Sequence, residues 1–229
     1  MKETFITGDG SATIYMADLN ESYHSRHGAL TESKHVFIEA GLKEAFVRFG
    51  LKLNILEIGF GTGLNALLTF QEARKHKMQI WYTALETSPV SPDLLQPLNY
   101  ASSTGYPTDE QVFQRMHDTP FNVAAEISED FVLEKRLMDV REFSDSPYRY
   151  HLVYFDAFAP RIQPELWTEE VFRNIMAAMA PNGVLVTYSA KSDVQRALKT
   201  VGFDVQKVPG PPGKREMIRA LAHNGLRTL

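Results

Sequence analysis

The 229-residue chain contains no cysteine. That excludes disulfides, thiolate metal sites and a cysteine nucleophile, and it points to a reducing compartment. No apolar run approaches the length of a membrane span, and the first residues, MKETFITGDGSATIY, lack the apolar core of a signal peptide. Internal repeats and low-complexity tracts are also missing. The sequence reads as that of a cytoplasmic globular protein, 44% hydrophobic and 23% charged, long enough for one sizeable α/β domain or two small ones. The net charge of −4 does not suggest a nucleic-acid binder, but it is unevenly spread. From Lys191 onward there are 8 Lys and Arg against 3 Asp and Glu, and before it 16 against 25. A basic C-terminal fifth on an acidic body is compatible with a polyanion held on one face, or with helices that have solvated basic faces.

What is present has a clear order. Residues 1–50 read as an N-terminal extension: β-like pieces at 4–7 and 12–16, a polar loop, then helical pattern in ESKHVFIEAGLKEAFVRFG. Residues 51–229 read as the main domain. In it, strand-like LNILEIG (53–59), IWYTALE (80–86), FVLEKRLMD (131–139), YHLVYFD (150–156) and VLVTY (184–188) alternate with helical patterns, and 88–130 is irregular. Thr168 is placed to cap a helix carrying Val171, Phe172, Ile175, Met176 and Met179, and Gly202 to stop SDVQRALKTV. Two further strands at the end are joined by a Pro/Gly turn. This alternation predicts a mainly parallel sheet covered on both faces, with an antiparallel last strand and ligands at the carboxyl ends of its strands.

The strongest local signal is LEIGFGTGLNAL. Gly59, Gly61 and Gly63 follow the first core strand and open a helix, where glycine lets the backbone turn sharply and approach a ligand. A dinucleotide fingerprint would need glycine at 64, which is Leu64. The spacing is G-x-G-x-G, the form usual in Rossmann-like methyltransferases that use S-adenosylmethionine. Glu86 closes the second strand, where a carboxylate accepts from ribose hydroxyls, and Asp139 closes the third, where such enzymes place an acid for the adenine amino group. The bland alternatives are a first-turn charge for Glu86 and an N-cap for Asp139.

Several stretches together, ESKHVFIEAG, EIGFGTGLN, ALETSPV, FDAFAPRIQPELWTEEVF and GPPGKREM, resemble one family: the methyltransferase module of the bifunctional bacterial tRNA-modification enzyme MnmC. The resemblance implies an α/β, Rossmann-like class I S-adenosylmethionine-dependent methyltransferase with a seven-stranded, mostly parallel sheet and the N-terminal extension. It implies methylation of 5-aminomethyl-2-thiouridine at the tRNA wobble position. The family's FAD oxidoreductase domain has no counterpart here, so a free-standing form is expected whose amine comes from separate enzymes. The expected partner is the tRNA anticodon region, with no membrane and no metal; the spacing of His24, His27 and Glu32 fits no strong metal motif.

Within this frame Asp156 is the candidate catalytic residue, able to accept from the amine and take a proton, with backbone carbonyls of the following Phe-Ala-Pro loop as further acceptors. Its bland alternative is a strand-end turn cap. Phe158 is expected either to stack on the base or to anchor the loop, and Trp167 to pack a helix on the sheet. Lys214 and Arg215 are expected to hold tRNA phosphates, with Lys191, Arg196 and Lys199 extending that face. Glu32, Ser33 and His35 read either as a lid over the cofactor or as an ordinary helix start. Competing functions on the same pattern are a small-molecule amine methyltransferase, an aminopropyltransferase-like enzyme and a non-catalytic RNA-binding module.

Overall fold

A computed structural model describes residues 2–147 and 149–223. Arg227, which belongs to the basic C-terminal fifth, lies outside the described residues. Strands β1 (Lys2–Ile6), β2 (Ala12–Met16) and β3 (Glu21–Ser22) form a small antiparallel sheet. A continuous helical stretch follows: α1 (Ala29–Ser33), a π-helical segment (Lys34–Leu42) and α2 (Lys43–Phe49). The main sheet contains β4 (Lys52–Ile58), β5 (Gln79–Glu86), β6 (Val123–Ser128), β7 (Phe131–Leu137), β8 (Tyr150–Phe155), β9 (Met179–Thr187), β10 (Phe203–Pro209) and β11 (Glu216–Ala222). Helices α3 (Leu64–His76), α4 (Pro92–Leu95), α5 (Tyr100–Ser103), α6 (Glu110–Asp118), α7 (Glu169–Ala178) and α8 (Ser192–Val201) complete the fold.

The spatial order is β10-β11-β9-β8-β4-β5-β7-β6. From β9 to β7 neighbours run parallel, and β11 enters antiparallel between β9 and β10, as its sequence position predicts. The sheet has one strand more than the seven expected. The extra strand, β6, pairs antiparallel with β7 at the edge. Its register shifts between Glu126 and Ser128, Ile127 is its one fully buried residue, and its turn to β7 lacks an Asn-Gly type signal, so no alternation marks it in the sequence.

The central strands are apolar throughout because both faces are covered. Leu53 and Ile55 pack with Leu67 and Phe70 of α3 and Phe37 of the π-helical segment, whose ring lies 5.1 Å from that of Tyr154. Leu56, Ile58, Val153 and Phe155 face the other way, against Phe172 and Ile175 of α7 and Val194 and Leu198 of α8. Each such side chain contributes roughly 1.5–3 kcal/mol of burial. Thr168 caps α7 by accepting from the Val171 N–H, as its position in the sequence predicts. No helix among the described residues is long and apolar enough to cross a membrane.

Strand β4 has β5 on one side and β8 on the other. After β7 the chain therefore crosses from one half of the sheet to the other. The carboxyl ends of β4 and β8 flank the resulting crevice, and the glycine loop and Asp156 follow directly from them.

Candidate active site

A cavity of about 980 Å³ lies at that rim, lined by the glycine loop, Glu86, Asp139, Asp156, Phe158 and Lys214. The residues singled out in the sequence from four separate strand ends thus meet around one space. Gly59 has φ 90°, and a Cβ there would stand 2.9 Å from the Asp156 carbonyl oxygen, so the ends of β4 and β8 abut only because residue 59 has no side chain. Gly63 has φ 75° and heads α3; a Cβ there would meet His117 Nε2 at 2.9 Å.

Glu86 is tied to the loop it faces. Its Oε2 accepts from the Gly61 N–H (2.9 Å), and its Oε1 from the Thr87 (2.9 Å) and Ser88 (2.7 Å) N–H groups. A carboxylate has about four acceptor positions, so one is left for a ligand hydroxyl. Asp139 lines the cavity and also caps the 3₁₀ turn Val140–Glu142, accepting from the Arg141 N–H (2.8 Å) and from its guanidinium (2.7–3.1 Å). The Arg141 hydrogen bonds hold the Asp139 carboxyl below the usual carboxylate range.

Asp156 lines the cavity directly after the end of β8. Its N–H donates to Ile58 O (3.0 Å), fixing the strand end. Its Oδ2 accepts from Asn65 Nδ2 (2.8 Å), and the same amide nitrogen donates to Glu57 Oε1 (2.9 Å). Asn65 stands in the first turn of α3 and Glu57 on β4, both almost fully buried. Burial pushes the Asp156 carboxyl well above the usual range and the charge of Glu32 adds to this, while the Asn65 bond and the Lys214 charge oppose it. Burial also pushes Glu57 well up. A carboxylate that holds its proton more tightly is a better base toward an amine.

Lys214 and Arg215 part company. Lys214 Nζ pairs with Glu32 Oε1 (2.7 Å) and lies 4.1 Å from the centre of the Tyr188 ring, at the cavity wall. Arg215 is exposed. The two do not form a common clamp: Lys214 is engaged inside. Arg196 is paired with Asp193 on the surface.

The carbonyls of the Phe-Ala-Pro loop are engaged to different degrees, each C=O having two acceptor positions. Ala157 O accepts from the Tyr188 hydroxyl (2.8 Å), Phe158 O from the Trp167 indole (2.9 Å), and Ala159 O from the Ile162 and Gln163 N–H groups (2.7 and 3.1 Å). These bonds give the loop its shape. Trp167 is buried against Phe155 at 4.7 Å, so its packing reading holds and it anchors the loop as well.

The N-terminal extension forms the opposite wall. Tyr23 lies edge-on to Phe158 at 5.2 Å, and a Cβ on Gly61 would stand 3.2 Å from the Tyr23 ring. Glu21 is ion-paired with Arg161, and Glu32 accepts from the Ser25 N–H (2.8 Å) as well as from Lys214. His35 instead faces outward and bonds Pro209 O (2.8 Å). His24 is buried on Thr13 Oγ1 (2.9 Å), and burial lowers it to about 4. Among the described residues no group of three His, Asp or Glu side chains is spaced to hold a metal.

Sequence reasoning passed over Glu57, Asn65, Tyr23 and Tyr188. Two had a signal: a lone acid amid the apolar residues of LNILEIG, and an amide directly after the glycines. The others join the site only through packing.

Comparison with known proteins agrees with this geometry. The chain is 30% identical over 94% of its length to the tRNA 5-methylaminomethyl-2-thiouridine biosynthesis bifunctional protein MnmC of Cupriavidus metallidurans, and covers 33% of that protein. It is 28% identical over its whole length to the protein of the same name from Pseudoalteromonas atlantica, covering 35% of it. The chain therefore spans about a third of the length of these relatives. The solved structure of MNMC2 from Aquifex aeolicus superposes with a TM-score of 0.76 at 26% identity, over 96% of this chain and 70% of that one. A spermidine synthase, at 15% identity and a TM-score of 0.51, shares the fold alone. Residues 107–223 match the model of one family, and the chain belongs to it: the S-adenosyl-L-methionine-dependent methyltransferases.

Proposed function

We propose that this methyltransferase acts on the exocyclic nitrogen of 5-aminomethyl-2-thiouridine at the tRNA wobble position, giving the 5-methylaminomethyl product. The observation that carries the reading is Asp156: a carboxyl made more basic by burial, at the rim where the glycine loop and β8 meet. The names of the relatives support the substrate, and the reaction is assigned to the cytoplasm, with the amine made by separate enzymes.

The residues present fit S-adenosylmethionine. The cavity is of a size for a nucleoside-bearing ligand, and Gly59 and Gly61 line it with bare backbone. Glu86 keeps about one acceptor position after its three backbone bonds. Gly59, Gly61, Gly63, Glu86 and Asp139 would hold the cofactor. When bound, it supplies a methyl group on a sulfonium that leaves readily. The protein must then align an unprotonated amine and keep water out. The cavity's partial burial favours the neutral amine. Asp156 accepts an amine N–H, and takes a proton as the nitrogen gains charge. Asn65 holds the Asp156 carboxylate in place, and Trp167 and Tyr188 hold the loop behind it. Phe158 would present a ring face to the uracil, and exposed Arg215 a charge to a phosphate.

The test is transfer from labelled S-adenosylmethionine to tRNA bearing the aminomethyl group, beside tRNA without it. Label on the first tRNA only is expected. Label on neither, with transfer to a free small amine instead, would move the assignment to small-molecule chemistry; cofactor-independent tRNA binding without any transfer would leave a binding module.

A further inference from the structure

The cations around the cavity differ in what they are free to do. Arg141 is ion-paired with Asp139, Arg161 with Glu21 and Lys214 with Glu32. Arg26 also lines the cavity, is exposed, and has no acid partner among the described residues. Its backbone is fixed, since its carbonyl accepts from the Gly8 N–H (2.9 Å) in the turn between β1 and β2. Its guanidinium lies 5.3 Å from the centre of the Phe5 ring on β1 and 5.4 Å from that of Tyr15 on β2. Attraction to a ring face leaves the in-plane N–H groups of a guanidinium free. Arg26 is thus a positioned charge whose hydrogen-bonding fork is unused, a form suited to two oxygens of one phosphate.

Its place in the fold brings it to the basic tail. His27, the next residue, meets the turn between β10 and β11: a Cβ on Gly213 would stand 2.5 Å from His27 Cδ2. Exposed Arg215 follows that glycine by two residues and also has no acid partner among the described residues. Two unpaired arginines from opposite ends of the chain therefore stand on segments that touch beside the cavity.

We propose that Arg26 holds a backbone phosphate of the tRNA, so that the N-terminal extension and the basic C-terminal turn together form one phosphate-binding rim at the cavity mouth. The inference rests on the tRNA substrate proposed above. An exposed cation on the rim meets a polyanion lying across the mouth. The competing anion is the carboxylate of the cofactor, which is enclosed with the rest of that ligand. A phosphate contact carries no base information, so Arg26 acts on docking and not on the choice of amine.

The experiment titrates tRNA binding across salt, for tRNA bearing the aminomethyl group and for tRNA without it. Arg26→Gln should weaken binding of both tRNAs alike, by ~5-fold or more at low salt, and reduce the slope of log affinity against log salt by about one. Arg26→Lys keeps the charge and should keep the slope. Glutamine at both 26 and 215 should reduce the slope by about two. Cofactor affinity by calorimetry should change by less than ~3-fold in each variant. A folded Arg26→Gln protein with the wild-type slope overturns the inference alone. So does an Arg26→Lys protein that loses as much slope as Arg26→Gln, or a ~10-fold loss of cofactor affinity with the slope kept. Wild-type protein that binds neither tRNA overturns the substrate reading and the inference with it.

Discussion

At the scale of single residues, the site works by opposing stability. Asp156 is a carboxyl held in surroundings that disfavour its charge, through burial first and Glu32 second. A carboxyl raised in the folded state contributes stability that is fully present below its unfolded value and lost as pH rises through its folded value. Removing it should therefore help the fold where chemistry needs it ionised. Asp156→Asn should raise the melting temperature near pH 8, with the gain shrinking toward pH ~3, while turnover falls by ~100-fold or more. Thermal melts of both proteins across that range check it; a gain that grows in acid would contradict the burial account. The sequence showed the acid at its strand end. It did not show Asn65 or Glu57 beside it, because the contact joins residues 91 positions apart.

At the scale of elements, the glycine loop and the turn after it form the side of the cavity proposed to hold the cofactor. Gly63 combines positive φ with a neighbour, His117, which a side chain would strike at 2.9 Å. Gly10 has similar φ (85°) and nothing within 4 Å. Gly10→Ala should cost only the backbone strain, ~1–2 kcal/mol, and Gly63→Ala more, because His117 must shift off its 3.1 Å contact with Thr62 O. Denaturant melts give both numbers, and cofactor affinity should fall for Gly63→Ala alone. A larger loss at Gly10 would show that the contact is easily relieved. The strands around this loop were legible because their both-sided burial leaves continuous apolar runs; the helix that the glycines open is α3, Leu64–His76. Edge strand β6 was not, since one fully buried residue makes no pattern.

At the scale of the whole molecule, charge is divided between the inside and the outside of one basic tail. Lys214 neutralises Glu32 and holds Asp156 down; exposed Arg215 is the residue proposed to meet a phosphate. Arg215→Glu should reduce the salt dependence of tRNA binding by about one unit of slope. Lys214→Met should leave that slope nearly unchanged and move the acidic limb of the turnover profile to higher pH, since Asp156 then loses the charge that opposed its protonation. Binding titrations across salt and a pH–rate profile separate the two; equal slopes lost at both positions would restore a common phosphate clamp.

The sequence by itself determined the strand and helix alternation, the G-x-G-x-G loop and the acids at three strand ends. These depend on local spacing, which periodicity and backbone demands imprint directly on the residue order. Only the tertiary structure decided that Asn65 joins Glu57 to Asp156, that Tyr188 and Trp167 bond the loop carbonyls of Ala157 and Phe158, that Lys214 turns inward to Glu32, and that Tyr23 faces Phe158 across the cavity. Those are pairings between distant segments. Which donor reaches which acceptor is fixed by packing in three dimensions, and no residue type announces its partner.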